Sequence, residues 1–294
     1  MKTKYLFSML GLLVMLFGCA ENDSVNTGYG KLTIQLTDAP FPHELIAEAN
    51  VTIFKVEARK KSEEGEESDS METAEETDNN SFIVLMEEEM EVNLLMLTNG
   101  VSETLVDIEI PAGSYDLFRV YVKGVNVVLN DEAGTTYDLK VPSGEQSGLK
   151  IFIKPELVVT SGLSSDLLFD FDVSRSFVPR GNIHNPSSFN GFNFKPVIKV
   201  SNLTTAGTLF GEITTMDMDA LVPLEGVQVS ILQGDEIITA TLTDASGGYM
   251  VMGLEAGTYS VLAEIAEYDA QLFEGITITA GNKTQQDFDL VLSE

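Results

Sequence analysis

The sequence predicts an all-β protein made of two β-sandwich domains in series, the second of them seven-stranded. Three observations predict it. Apolar residues alternate with polar ones over short runs, turn residues separate those runs, and a helical period holds for ten residues nowhere except near 90–98. The length of 294 residues suits two domains at roughly 100–200 residues each. A 44% hydrophobic share is enough to build proper cores.

The first strand starts at Lys31. Leu32, Ile34 and Leu36 share one face and Lys31, Thr33 and Gln35 the other, as in a half-buried strand. Similar segments recur at 51–56, 82–86, 104–110, 114–123, 125–129, 137–141, 151–153, 156–160, 167–173 and 195–200. Strands this short and closely spaced indicate an antiparallel sandwich or barrel. This domain spans 30–202 and contains an insertion at 62–81 with nine acids and no base, too polar to offset its ordering entropy and so an exposed loop. The polar stretch 201–207 leads into a second domain at 207–294. That domain has strands near 209–214, 227–232, 237–243, 249–252, 257–263, 271–277 and 284–292, and Lys283 is its only base.

The N-terminus is an address. Lys2 and Lys4 precede an apolar run from Leu6 to Phe17, too short to span a bilayer at roughly 20 residues. The run closes on Leu16-Phe17-Gly18-Cys19, with the only cysteine last. This resembles the lipobox of bacterial lipoproteins. The resemblance implies a signal at 1–18, acylation of Cys19 and a lipidated tether over 19–29. Ala20 in place of Asp then favours the outer membrane or cell surface of a Gram-negative bacterium. The partner at this end is the lipid bilayer, held through more than one acyl chain.

The formal charge of −29 argues against nucleic acid as a partner, because nothing basic offsets the phosphates. A single cysteine rules out an internal disulfide and a cysteine-built zinc site.

Motifs in both domains carry further resemblances. Gly226-Val227-Gln228-Val229, the turn Thr243-Asp244-Ala245-Ser246-Gly247-Gly248-Tyr249 and Leu254-Glu255-Ala256-Gly257-Thr258-Tyr259 resemble carboxypeptidase regulatory-like modules. That resemblance implies a transthyretin-like or Ig-like sandwich, non-catalytic and distantly akin to carbohydrate-binding modules. Asp244 and the paired glycines suit a turn needing positive φ, and Tyr249 and Tyr259 open inward-facing strands. In the first domain the order is Leu36-Thr37-Asp38-Ala39-Pro40, Val92-Asn93-Leu94-Leu95, Pro111-Ala112-Gly113-Ser114-Tyr115, Val141-Pro142-Ser143-Gly144, Ser147-Gly148-Leu149-Lys150, Asp170-Phe171-Asp172 and Lys195-Pro196-Val197-Ile198. It resembles the bacterial lipoprotein domain of unknown function number 4382, a label that implies a module and no activity.

Several residues invite a chemical role. Asp38, after a strand and before Ala39-Pro40, reads as a turn cap. Lys150 stands among Leu149, Ile151, Phe152 and Ile153. If desolvated it needs a carboxylate, and Asp170 and Asp172 share one strand face, so a structural ion pair is expected. The same two acids also evoke a metal site or an acid–base pair, although no activating base or nucleophile elbow accompanies them. His43 stands beside Pro42 in a loop. The 181–194 stretch, with His184, Phe189 and Phe192, is either a ligand loop or a packed connection over a sandwich edge. Asp217 and Asp219 are the calcium candidates of the second domain, and no other cofactor is expected. The chain therefore reads as a cell-envelope lipoprotein, not an enzyme, with a binding or scaffolding role. The alternatives are a carbohydrate-binding accessory protein, whose partner is a polysaccharide, and a calcium-stabilised adhesin or fimbria-like component, whose partner is a surface protein.

Overall fold

The structure, a computed structural model, describes residues 28–39, 45–61, 82–141, 146–182, 188–218 and 220–293. Cys19 with its signal, His43, the acidic insertion 62–81, His184 and Asp219 lie outside the described residues.

Among the described residues the first sandwich contains twelve strands. They are β1 (Tyr29–Ala39), β2 (Ile46–Lys60), β3 (Phe82–Met86), β4 (Met90–Asn93), β5 (Glu103–Pro111) and β6 (Gly113–Leu129), then β7 (Thr136–Leu139), β8 (Leu149–Val159), β9 (Ser164–Asp172), β10 (Phe177–Pro179), β11 (Phe192–Phe194) and β12 (Ile198–Asn202). One sheet runs β12-β9-β1-β5. The other runs β3-β2-β6-β7, with β4 also on β2 and β8 also on β6, and β10 and β11 form a separate antiparallel pair. Leu32, Ile34 and Leu36 point inward, each at most 1% exposed, as their alternation requires. Phe118 and Phe169 meet between the sheets at 5.8 Å, nearly perpendicular. Each buried side chain of this kind contributes about 1.5–3 kcal/mol through removal of apolar surface from water.

Two expectations change here. The sandwich is not wholly antiparallel, because β1 and β9 pair in parallel from Lys31↔Ser164 to Ala39↔Asp172. The chain leaves for the other sheet twice between them, which supplies the long crossover a parallel pair needs. The 90–98 segment is not a helix either. Val92 and Leu94, two apart, are both buried, and β4 pairs with β2 before a single 3-10 turn at Leu94–Met96. The Asn93 side chain accepts a hydrogen bond from the Leu95 N–H and ends the strand.

The second sandwich comprises β13 (Ala206–Asp217), β14 (Ala220–Pro223), β15 (Gln228–Gln233), β16 (Glu236–Leu242), β17 (Gly248–Glu255), β18 (Gly257–Glu264), β19 (Gln271–Ile278), β20 (Lys283–Gln285) and β21 (Phe288–Leu290). One sheet is β14-β13-β17, with β20 and β21 both alongside β13, and the other is β16-β15-β18-β19. Seven strands were expected. The additional one is β14, whose residues are all exposed, so it lacks the alternation that reveals a strand. The final expected strand divides at Gln286-Asp287, where the Gln286 N–H donates to the Phe210 carbonyl at 2.9 Å.

Both sandwiches turn a corner in the same way. The Tyr115 hydroxyl donates to the Pro111 carbonyl at 2.7 Å, and that of Tyr259 to the Glu255 carbonyl at 2.9 Å. Each tyrosine ends an Ala-Gly-Ser/Thr-Tyr string and reaches back four residues, the arrangement of a tyrosine corner. Burial pushes the Tyr115 hydroxyl up to about 12.

Candidate functional site

The two sandwiches meet along the outer face of β9 and β12. Alternation sends Phe169 and Phe171 into the core of the first sandwich and leaves Asp170 facing outward between them. Lys199, opposite Asp170 on β12, crosses to the second sandwich and donates to the Ile238 carbonyl at 2.8 Å. Asn99 makes the other tie. Its side-chain N–H groups donate to Asp244 Oδ2 and to the Gly248 carbonyl, each at 3.0 Å. Asn99 holds a φ of +57°, which asparagine tolerates better than most residues.

The approach at the junction is close. At Gly253, whose φ is +75°, an added Cβ would stand 2.9 Å from Ser201 Cβ, so only glycine fits both the turn and the contact.

Between the ties lies a cavity of about 310 Å³. Thr37, Asp38, Asn99, Asp170 and Lys199 line it from the first sandwich, and Thr241, Met250, Leu254 and Tyr259 from the second. The Thr37 hydroxyl braces the wall on the Leu97 and Val101 carbonyls, at 2.9 and 3.0 Å. Three oxygens of the lining residues, Asp38 Oδ2, Asn99 Oδ1 and Thr241 Oγ1, are closed to solvent and have no hydrogen-bond partner among the described residues. Each such group costs about 1–3 kcal/mol to leave unsatisfied. A second cavity, of about 420 Å³, opens beside the linker and is lined by Pro155, Leu163, Ser165, Asn202 and Glu255.

The two aspartates of the junction are in opposite electrostatic states. Asp38 is 4% exposed. Burial raises its carboxyl well above the usual carboxylate range, against the lowering effect of the Val173 N–H, and the charges of Asp170 and Asp172 raise it further. Asp244 is held below its ordinary value, first by the Ser246 hydroxyl and then by the Ser246 and Gly248 N–H groups. Its Oδ1 accepts all three bonds, at 2.6, 2.8 and 3.1 Å, which closes the turn expected there, and Gly247 supplies the positive φ of +77°.

Other residues singled out by sequence are placed differently. Asp38 caps across the fold rather than within its own turn, with Oδ1 accepting from the Val173 N–H at 3.1 Å. The residues expected to form an ion pair, Lys150 with Asp170 and Asp172, lie on strands of different sheets, β8 and β9. Ile151 and Ile153 point inward on β8, so alternation turns Lys150 outward, where it is exposed beside its register partner Arg119 on β6 of the same sheet. Asp172 instead caps the turn α1 (Val173–Ser176), accepting from the Arg175 N–H at 3.0 Å, and pairs with the Arg175 side chain at 3.5 Å. Phe189 and Phe192 meet edge to face at 5.2 Å and both abut Tyr137, so these rings pack against the sandwich. Asp217 is exposed at the end of β13, and among the described residues no group of three or more His, Cys, Asp or Glu is disposed to hold a metal.

Sequence reasoning passed over Asn99, Lys199 and Thr241. The Asn99-Gly100 pair was a readable turn signal, whereas nothing local marks Lys199 or Thr241 as junction residues.

Comparison with known proteins adds the following. Residues 208–291 match the model described as Carboxypeptidase regulatory-like domain. No curated protein matches the chain. Among solved structures, the minor pilin GBS52 of Streptococcus agalactiae is 12% identical, with 89% of this chain and 96% of that one covered at a TM-score of 0.26. The shaft pilin SpaA of Lactobacillus rhamnosus GG is 10% identical, over 90% and 98% of the two chains, at 0.25. A type II cohesin–X-dockerin complex from Acetivibrio cellulolyticus is 20% identical at 0.25; 29% of this chain is covered and the chain spans 58% of that one. Overlaps of this size carry no argument about what the chain does. The model that matches residues 29–196, more than half of the sequence, settles its kinship, and the chain belongs to the family described as Domain of unknown function (DUF4382).

Proposed function

We propose that the chain is a lipid-anchored, non-catalytic binding or scaffolding protein of the bacterial cell envelope. The observation that carries the binding half is the junction cavity. Two rigid sandwiches tied by Asn99 and Lys199 hold polar groups at fixed positions around a recess of about 310 Å³. Its lining supplies charge and hydrogen-bond acceptors, chemistry suited to recognition. The anchoring half rests on Lys2, Lys4, the apolar run and Cys19.

The test is fatty-acid labelling of the native-host protein and of Cys19→Ser, read by mass spectrometry of the N-terminal peptide and by membrane fractionation. The expected result is an acylated Cys19 in the wild type, and loss of label and of membrane association in the variant. An unmodified thiol in a membrane-associated wild type would overturn the anchor.

A further inference from the structure

We propose that the junction cavity takes a small organic cation, an ammonium or guanidinium group on a short aliphatic stem. The wall is rich in acceptors. Asp38 and Asp170 bring carboxyl groups, and Asn99 Oδ1 has no donor among the described residues. The Asn99 N–H groups already serve Asp244 and Gly248, so this side chain offers the cavity only its oxygen. Asp38 is 4% exposed and Thr241 2%, and each keeps an oxygen without a partner among the described residues.

The cavity's own ammonium, Lys199, donates to the Ile238 carbonyl. Because the orphan oxygens are closed to solvent, a cation seated in the recess acts on them across a low-dielectric wall and not through water. The formal charge of −29 attracts cations and repels anions before contact. Met250, Leu254 and Ile238 supply an apolar side for the stem.

A bare hard cation fits less well, since calcium takes six to eight oxygens and the described residues contain no group of three acids, histidines or cysteines suited to hold a metal. A volume of about 310 Å³ is also far larger than an ion needs, while a short aliphatic amine fits within it. The same chemistry arises from two sources, a free amine or the basic side chain of another protein.

The test is calorimetric titration of the full chain with agmatine, with the blocked peptide acetyl-Gly-Arg-Gly-amide, with the neutral control 1,5-pentanediol and with calcium chloride. The key variant is Asp38→Asn, which keeps an oxygen for the Val173 N–H and removes the ionisable carboxyl that a bound cation would draw into its charged form; its fold is checked by circular dichroism. The expected result is saturable binding of a basic probe, no binding of the diol, and an affinity at least about 10-fold weaker in Asp38→Asn. Agmatine binding best identifies a free amine, and peptide binding best identifies a protein side chain.

Thr241→Val supplies a second reading, with weakened binding again expected, should Asp38→Asn fail to fold. Failure of both basic probes to bind, an undiminished affinity in the variants, or calcium binding that depends on Asp38 would overturn the proposal. It rests on the binding half of the function proposed above. The anchor is read separately at Cys19, so either can fail without the other.

Discussion

Asp38 and Asp244 stand on opposite walls of one junction, and the fold treats them in contrary ways. Asp244 is met by the Ser246 hydroxyl, two backbone N–H groups and the Asn99 amide, all of which favour its charge. Asp38 receives one N–H bond, has one oxygen unserved, and lies within reach of two like charges. The contrast separates two uses of a carboxylate. One closes a turn and ties two domains, and its partners stabilise it. The other is held at a stability cost, as residues reserved for binding often are.

That comparison can be tested directly. The largest effect is expected for Asp244→Ala, which opens the turn and removes the tie to Asn99. It should lower stability by about 1–2 kcal/mol at neutral pH, measured by urea denaturation. Because the folded carboxyl lies below its ordinary value, this stability is present above the usual carboxylate range and disappears as pH falls through the depressed value. The difference between variant and wild type should therefore shrink in acid. A loss that persisted undiminished in acid would show that the carboxylate's charge is not what holds the turn.

Asp38→Asn should shift stability the other way. With its folded value raised, the wild type retains a proton that the unfolded chain has released, so its stability falls as pH climbs from the usual carboxylate range through the raised value. Asparagine has no such dependence. The variant should gain about 1 kcal/mol at neutral pH, seen as a higher Tm, and the gain should vanish at low pH. A variant less stable than wild type at every pH would mean that Asp38 is paired in solution and the contrast is false.

The smallest effect is expected at Lys150. Lys150→Met should alter stability by less than about 0.5 kcal/mol, as for an exposed strand position away from the junction. A loss of several kcal/mol in thermal melts would restore the buried pair with Asp170 or Asp172 and give the junction a third kind of carboxylate.

Most of the sheet architecture was legible because alternation is a local signal. Leu32, Ile34 and Leu36 announced β1, and the paired glycines after Asp244 announced its turn. The failures also have local causes. Lys150 was read as buried because its sequence neighbours are apolar, yet in a strand the adjacent side chains lie on the opposite face: Ile151 is 5% exposed and Phe152 60%. β14 carries no alternation and left no trace. Asp38 and Asp170 could be suspected individually. That Asn99, Lys199 and Thr241 would join them depends on how two separately folded sandwiches dock, and no periodicity records docking.

The fit at Gly253 bears on how such chains are inherited. A bead on a string can be exchanged between proteins without harm, but the second sandwich has a hollow shaped to Ser201 of the first. Grafted onto another chain, it would present that hollow to water and lose its neighbour. The two modules are therefore expected to travel, and to be lost, as one hereditary unit.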